Sequence, residues 1–295
     1  MKPTAISLLL ASCCSAAVAP PPPPPPYPDT PSTPFLFTNP APSAGFRIPT
    51  SRESAILGRR ILALTPLGTI ATVFPADTAP STLENRPAGL GGMPHGLMEY
   101  IADCETSADV GNPTLLAITI ETSFKNIAAG SNVSLAVSWT PPHPPTKRIQ
   151  SLPSRILSFL GLSSSPKHHH EHEHDRVPYS AANLPRFSIL GHVEPIPDGD
   201  NLDKGEAGAK LASCFVDAHP DARYWLPGSR VHESHFVRLV VEHVYWVGGF
   251  GDRAYIGWIP VEEWKNVTRA EWEAVRLPGE KKGWKEWTVG AVSDL

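Results

Sequence analysis

Residues Ala212 to Trp264 constrain the fold more than any other part of this chain. A helix is expected from about Lys204 to Asp217. It must stop at His219-Pro220, because a proline ring disfavours helical geometry in the residue before it. An aromatic turn runs from Arg223 to Ser229 and ends in Pro227-Gly228. His235 to Val247 is then a long β-rich run, carried by Phe236, Leu239, Val240, Val241, Val244, Tyr245 and Val247. Such a strand needs a reversal, and Gly248-Gly249-Phe250-Gly251 supplies residues that take positive φ at little steric cost. This glycine turn reads equally as a bare hairpin or as part of a pocket wall. A second strand, Arg253 to Ile259, leads through Pro260 into a helix start at Val261-Glu262-Glu263-Trp264.

The upstream chain has the same grain. Ser51 to Leu64 carries helical spacing, with Thr50 or Ser51 as the cap and Glu53 or Ser54 in the first turn. Its apolar residues Ile56, Leu62 and Ala63 are expected on a different face from Arg59 and Arg60. Thr65-Pro66 ends it. Leu67 to Phe74 reads as a strand with Thr69 and Thr72 interleaved. Pro75 to Gly96 is a crossing loop, and Met98 to Ala102 a short strand. Gly111-Asn112-Pro113 marks a turn, and Leu115 to Ile120, Val133 to Trp139 and Phe187 to Val193 are further strands. The order of these runs predicts a mainly β chain with flanking helices (α+β) and antiparallel strands.

Three sets of residues carry a family resemblance. His219-Pro220-Asp221-Ala222, the aromatic turn, the long strand and Gly248-Gly249-Phe250-Gly251 resemble the flavin-binding split-barrel superfamily. That superfamily contains the pyridoxamine 5′-phosphate oxidases, the haem-utilisation split barrels and the secreted CREG-like glycoproteins. Gly68-Thr69-Ile70-Ala71-Thr72 is similar to its first barrel strand. Trp258-Ile259-Pro260-Val261-Glu262-Glu263-Trp264, with the sequon that follows, looks most like the CREG branch. The resemblance covers roughly Ser51 to Thr268. It implies an antiparallel split β-barrel and a homodimer with a cleft between two barrels. It also makes FMN a possible cofactor. In many members the segment matching Ser123-Phe124-Lys125-Asn126 contacts the FMN phosphate, so Ser123, Lys125 and Asn126 are candidate cofactor residues. A phosphate dianion needs donors and a cation at close range. The plainer reading is a helix start with Lys125 in solvent.

Outside the barrel, Met1 to Ala19 reads as a secretory signal peptide: Lys2, an apolar run broken by small residues, and small-x-small cleavage sites. Residues 20–50 are a Pro-rich, extended linker. The barrel domain is assigned to 51–268 and a C-terminal extension to 269–295. Secretion would remove Cys13 and Cys14 and leave Cys104 and Cys214, an even pair in an oxidising compartment. A Cys104–Cys214 disulfide is expected, with two separate buried thiols as the alternative. Asn132 and Asn266 each open an N-x-S/T sequon, a candidate glycan site.

A low-complexity insertion at 141–177 interrupts the strands. It carries a short amphipathic stretch and the imidazoles of His168, His169, His170, His172 and His174. These can capture a divalent transition metal, although a catalytic zinc needs a rigid scaffold. His232 and His235 would point to opposite faces of a strand, and His219 and Asp221 sit where capping is the commoner role.

A net charge of -4 leaves no nucleic-acid footprint, and no run beyond the signal peptide is long and apolar enough to span a membrane. There is no Ser-His-Asp order, zinc-protease helix, P-loop or Rossmann fingerprint. The sequence reading is a secreted, CREG-like, non-catalytic binding module with an unidentified luminal or extracellular partner. The alternatives are a flavin-dependent oxidoreductase and a haem-binding split barrel.

Overall fold

A computed structural model describes residues 47–76, 85–105, 110–145, 180–202, 205–251 and 253–284. All of these belong to one unit, Asn39–Leu295. The expected signal peptide, most of the Pro-rich linker and the histidine tract lie outside the described residues.

The chain enters through helix α1 (Ser51–Leu64), started by a capping box. Thr50 Oγ1 accepts from the Glu53 amide at 3.1 Å, and the Glu53 carboxylate accepts from the Thr50 amide at 2.8 Å. Strands β1 (Leu67–Val73), β2 (Pro94–Ala102) and β3 (Thr114–Ile118) follow, then helix α2 (Thr122–Ala128) and strand β4 (Val133–Ser138). Beyond the insertion come β5 (Arg186–Pro195), helix α3 (Glu206–Ala218), β6 (Ser234–Val247), β7 (Ile256–Ile259) and the short helices α4 (Val261–Lys265) and α5 (Arg269–Ala274). β2 begins earlier than its apolar pattern suggests, and β7 is shorter than the run from Arg253.

Every strand pairing is antiparallel. The order β3-β2-β1-β4-β5-β6 closes on itself through β3–β6, giving a six-stranded barrel with β7 added to β6. This is the expected antiparallel split barrel. The 14-residue β6 is its common wall. One edge pairs β5, and the other is divided between β3 at Ser234–Arg238 and β7 at Val244–Val247. The Gly111-Asn112-Pro113 turn fills the space between β3 and β7. Pro113 O accepts from the Leu239 amide at 2.9 Å, and Asn112 Oδ1 from the Val241 amide at 3.0 Å. Buried backbone donors need partners, and this turn replaces the missing strand. A register shift at Leu190/Gly191 brings β5 hard against β6. A Cβ at Gly191 would stand 1.8 Å from Val240 O, so only glycine fits.

Ile70, Ile101, Leu115, Leu135, Ile189, Leu239 and Val244 fill the barrel, all fully buried. α3 covers the outside of β2, β3 and β6 with a second cluster of Leu211, Ala212 and Phe215 against Leu116 and Phe236. β3 is thereby buried on both faces, which accounts for its unbroken apolar run. The Cys104–Cys214 disulfide ties the end of β2 to α3, with 5.9 Å between the Cα atoms.

Two expectations are corrected. Arg59 and Arg60 are not set apart from the apolar residues of α1; both are buried, as Leu62 is. Arg59 pairs with Asp103 at 3.1 Å and lies over the Trp264 ring, and Arg60 pairs with Glu280 and the Trp272 carbonyl. In β1, Thr72 is inward and Val73 exposed, because Thr72 bonds to the buried Asn126. Helical and strand periodicity cannot register partners that arrive from remote segments. The C-terminal extension packs on the body as well: Leu277 is buried, Trp139 Nε1 donates to Pro278 O and Trp284 Nε1 to His143 O.

Candidate functional site

The segment that resembles a phosphate contact forms α2, between β3 and β4. After β3 the chain turns through Glu121, whose amide donates to Ile118 O at 3.0 Å. Glu121 is the N-cap residue of α2, although its side chain makes no cap hydrogen bond. Phe124 drives into the barrel core. Ser123 and Asn126, three residues apart, share the face turned to β1 and β2, and both are buried. Asn126 Nδ2 donates to Thr72 Oγ1 at 3.1 Å. Lys125 is half-buried and, two positions from Ser123, lies on a different side of the helix. The structure therefore brings Ser123 and Asn126 together and leaves Lys125 apart.

Sequence reasoning missed what stands beside Ser123. Glu99 on β2 and Glu121 both come close there, near enough for each carboxyl to shift the protonation of the other. Burial, and then the charge of Glu99, push the Glu121 carboxyl up to about 7; a backbone contact at Ile118 opposes this. Burial raises Glu99 too, with Ser123 and Glu121 moderating it. Glu121 Oε2 is buried without a partner. The Ser123 hydroxyl faces Glu99 without closing a hydrogen bond of normal geometry. The two acids are on separate elements, so no local motif could have announced them.

These residues do not fit an FMN phosphate. The Asn126 amide is committed to Thr72, the Ser123 hydroxyl is sealed from solvent, and Lys125 is on another face. A dianion placed at Ser123 would also meet two carboxyls, and like charges at short range disfavour it.

The remaining candidates fall as follows. Asn132 and Asn266 are exposed, as glycan acceptors must be. Thr268 of the second sequon also caps α5 through Glu271. His219 ends α3 with its ring buried, stacked 4.4 Å from Tyr100, and Nε2 2.9 Å from Ile101 O. Asp221 accepts from the Tyr100 hydroxyl at 2.6 Å. His235 Nδ1 lies 2.8 Å from Asp200 in an open hollow of about 340 Å³ that His232 and Glu233 also line. Among the described residues no three His, Cys, Asp or Glu side chains converge to hold a metal ion. His168, His169, His170, His172 and His174 are outside the described residues.

The outer wall of the barrel offers a second candidate surface. One cross-strand row runs Met98, Thr69, Ala136, Ser188, Tyr245, Trp258 over β2, β1, β4, β5, β6 and β7. It holds no charge. Its middle is small, and its ends are large and open: Met98 is 57% exposed and Trp258 56%. Leu64, Leu67 and Trp139 border the Met98 end around a hollow of about 390 Å³.

Comparison with solved structures finds similar folds at low identity. The heme binding protein from Mycobacterium smegmatis is 20% identical over 74% of this chain, with a TM-score of 0.42. The chain spans about three fifths of that protein, 61% of its length. ChuZ of Campylobacter jejuni is 12% identical over 70% of this chain and 59% of its own, with a TM-score of 0.40. HutZ, the heme storage protein from Vibrio cholerae, is 10% identical over 63% of this chain and 89% of its own, with a TM-score of 0.35. No curated protein sequence matches the chain. The CREG β-barrel family model matches residues 49–266, which takes in every barrel strand, α2 and the Trp264 helix, and the chain belongs to that family.

Proposed function

We propose that this protein is a secreted glycoprotein that uses its CREG-type barrel as a binding module and not as a flavin enzyme. The observation that carries the reading is the Glu99–Glu121 pair beside the buried Ser123, where a flavin enzyme would need a phosphate cradle. Secretion is supported by the leader-like Met1 to Ala19, by the bonded Cys104 and Cys214, and by the exposure of both sequon asparagines. The visible spectrum of the purified protein, followed by titration with FMN and with haemin, tests it. A colourless protein that leaves FMN fluorescence unquenched is the expected result. Stoichiometric bound flavin would overturn the reading, and a Soret band would favour the haem-binding alternative.

The module works as a homodimer through the uncharged outer row. A wide sheet face of small residues between two large apolar ends suits a second copy of itself, since association is driven mainly by apolar burial. Light scattering of deglycosylated protein should give twice the chain mass. Ala136→Arg, which sets a charge at the centre of the row, should give a folded monomer. A monomeric native protein, or a variant as dimeric as the native chain, would count against this face.

A further inference from the structure

Residues 276–284 follow the last helix and add no strand, yet they have a defined seat on the barrel. None of the residues of α5 is fully buried. The anchoring falls to the segment after it, where Leu277 and Gly279 are buried while Arg276, Pro278, Lys281 and Lys282 are exposed. Leu277 joins the apolar cluster that holds Trp139 and Trp264. Gly279 has φ +72°, and a Cβ there would stand 2.8 Å from His143 O, so both the turn and the fit require glycine. The His143 amide donates to Gly279 O at 3.1 Å. Arg60 of α1 forms the floor of the seat, its side chain 8% exposed. Nε donates to Glu280 Oε2 at 2.8 Å, Nη2 donates to the other oxygen of that carboxylate, and Nη1 donates to Trp272 O at 3.0 Å. Glu280 Oε2 also accepts from the Leu277 amide at 3.0 Å, which fixes the apolar and acidic side chains relative to each other.

We propose that the groove between α1 and the chain after β4 is a peptide-recognition site for a leucine and a glutamate three residues apart, and that Leu277–Trp284 is a releasable strap that fills it. A buried guanidinium is costly unless a carboxylate faces it. Glu273 also acts on Arg60, but it is half-exposed and bonded to Arg269 at 2.7 Å. Once the strap leaves, the floor of the groove therefore demands another carboxylate. The apolar position beside it demands an apolar side chain, and the close approach at Gly279 demands a glycine turn. The partner that fits is a segment of another chain with the chemistry of Leu277-Pro278-Gly279-Glu280.

Release needs no change in the barrel. The strap pairs with no strand, and few side chains hold it, so it can open locally while the sheet stays closed. Strap and partner exclude each other. A tethered competitor acts at an effective concentration of about millimolar, so the native chain is closed to weak partners and open to strong ones. The groove depends neither on the flavin question nor on the outer row, and failure of this inference would leave both readings intact.

Hydrogen exchange of the full native chain tests the release. The amides of His143, Leu277 and Glu280, corrected for intrinsic rates, should exchange together and at least about tenfold faster than those of the β5–β6 ladder, as for a unit that opens by itself. Binding tests the recognition. A dye-labelled synthetic peptide of Arg276–Trp284 is titrated into the native chain and into the full-length double variant Leu277→Ala, Glu280→Gln, whose fold is checked by circular dichroism. It should bind the variant at least about tenfold more tightly than the native chain, where the tethered strap competes. The same peptide carrying Glu280→Gln or Leu277→Ala should lose at least about tenfold in affinity, the size expected for one charged hydrogen bond or one buried leucine. Strap amides that exchange no faster than the ladder would overturn the proposal, and that result does not depend on the variant folding. So would a folded variant that binds the peptide no better than the native chain, or that binds the altered peptides equally well.

Discussion

Replacing Cys104 and Cys214 together by alanine is expected to destabilise the protein by about 4–5 kcal/mol. The bridge joins residues 110 apart, and in the chain-entropy view a cross-link that long restricts the unfolded chain by about this much. The loop contains the insertion at 141–177. Closure entropy grows only with the logarithm of loop length, so shortening the insertion should change the figure by a few tenths of a kcal/mol. The local consequence is also specific. α3 would rest on Phe215 against Phe236, rings 5.5 Å apart, and on Leu211, without a covalent tie to β2. Urea unfolding of native and variant chains reads this directly, and treatment of the native chain with reductant should reproduce the variant. A midpoint unmoved by either would mean that the bridge contributes nothing.

Trp264→Ala is expected to cost about 3–5 kcal/mol, the range for deleting a large buried aromatic. Trp264 is fully buried and joins four parts of the fold. Its Nε1 donates to Gly111 O at 2.9 Å, which holds the turn that completes the β6 edge. Phe187 of β5 packs on it at 5.3 Å, and Arg59 lies over its ring at 5.8 Å. α1 passes so closely that a Cβ at Gly58 would stand 2.6 Å from the indole. Alanine would leave a cavity, an unpaired Gly111 carbonyl and an uncovered Arg59. Trp264→Phe refills most of the space and loses one hydrogen bond, so it should cost less than alanine by at least 1 kcal/mol. Equal losses for the two variants would show that the hydrogen bond, and not the packing, is what matters. A loss below 1 kcal/mol for alanine would remove Trp264 from the centre of the fold.

What the amino-acid order determined by itself was local. The capping box at Thr50 and Glu53 set where α1 begins, because cap and helix lie within one turn. Proline stopped α3 at His219, β-branched and aromatic residues marked β6, and the glycines after Val247 forced its reversal. The Cys104–Cys214 pairing was expected from the sequence on the premise of secretion, and the structure has it. The family motifs were legible for the same reason, being short and contiguous.

Tertiary structure alone decided the rest. Barrel closure pairs Thr114 with Arg238, which nothing in either strand's pattern specifies. Burial of Arg59 and Arg60 depended on Asp103 and Glu280 arriving from far along the chain. Lys125 was separated from Ser123 by the helical rotation between them, so a four-residue resemblance to a phosphate contact did not become a cradle. The uncharged outer row exists only once six strands lie in register. The Glu99–Glu121 contact needs β2 and α2 to be brought together before either carboxyl can sense the other. Sequence periodicity reports which way a side chain points along its own element. The electrostatics of a site depend on what the neighbouring elements place within a few ångströms of it, and that distance is a property of the folded chain.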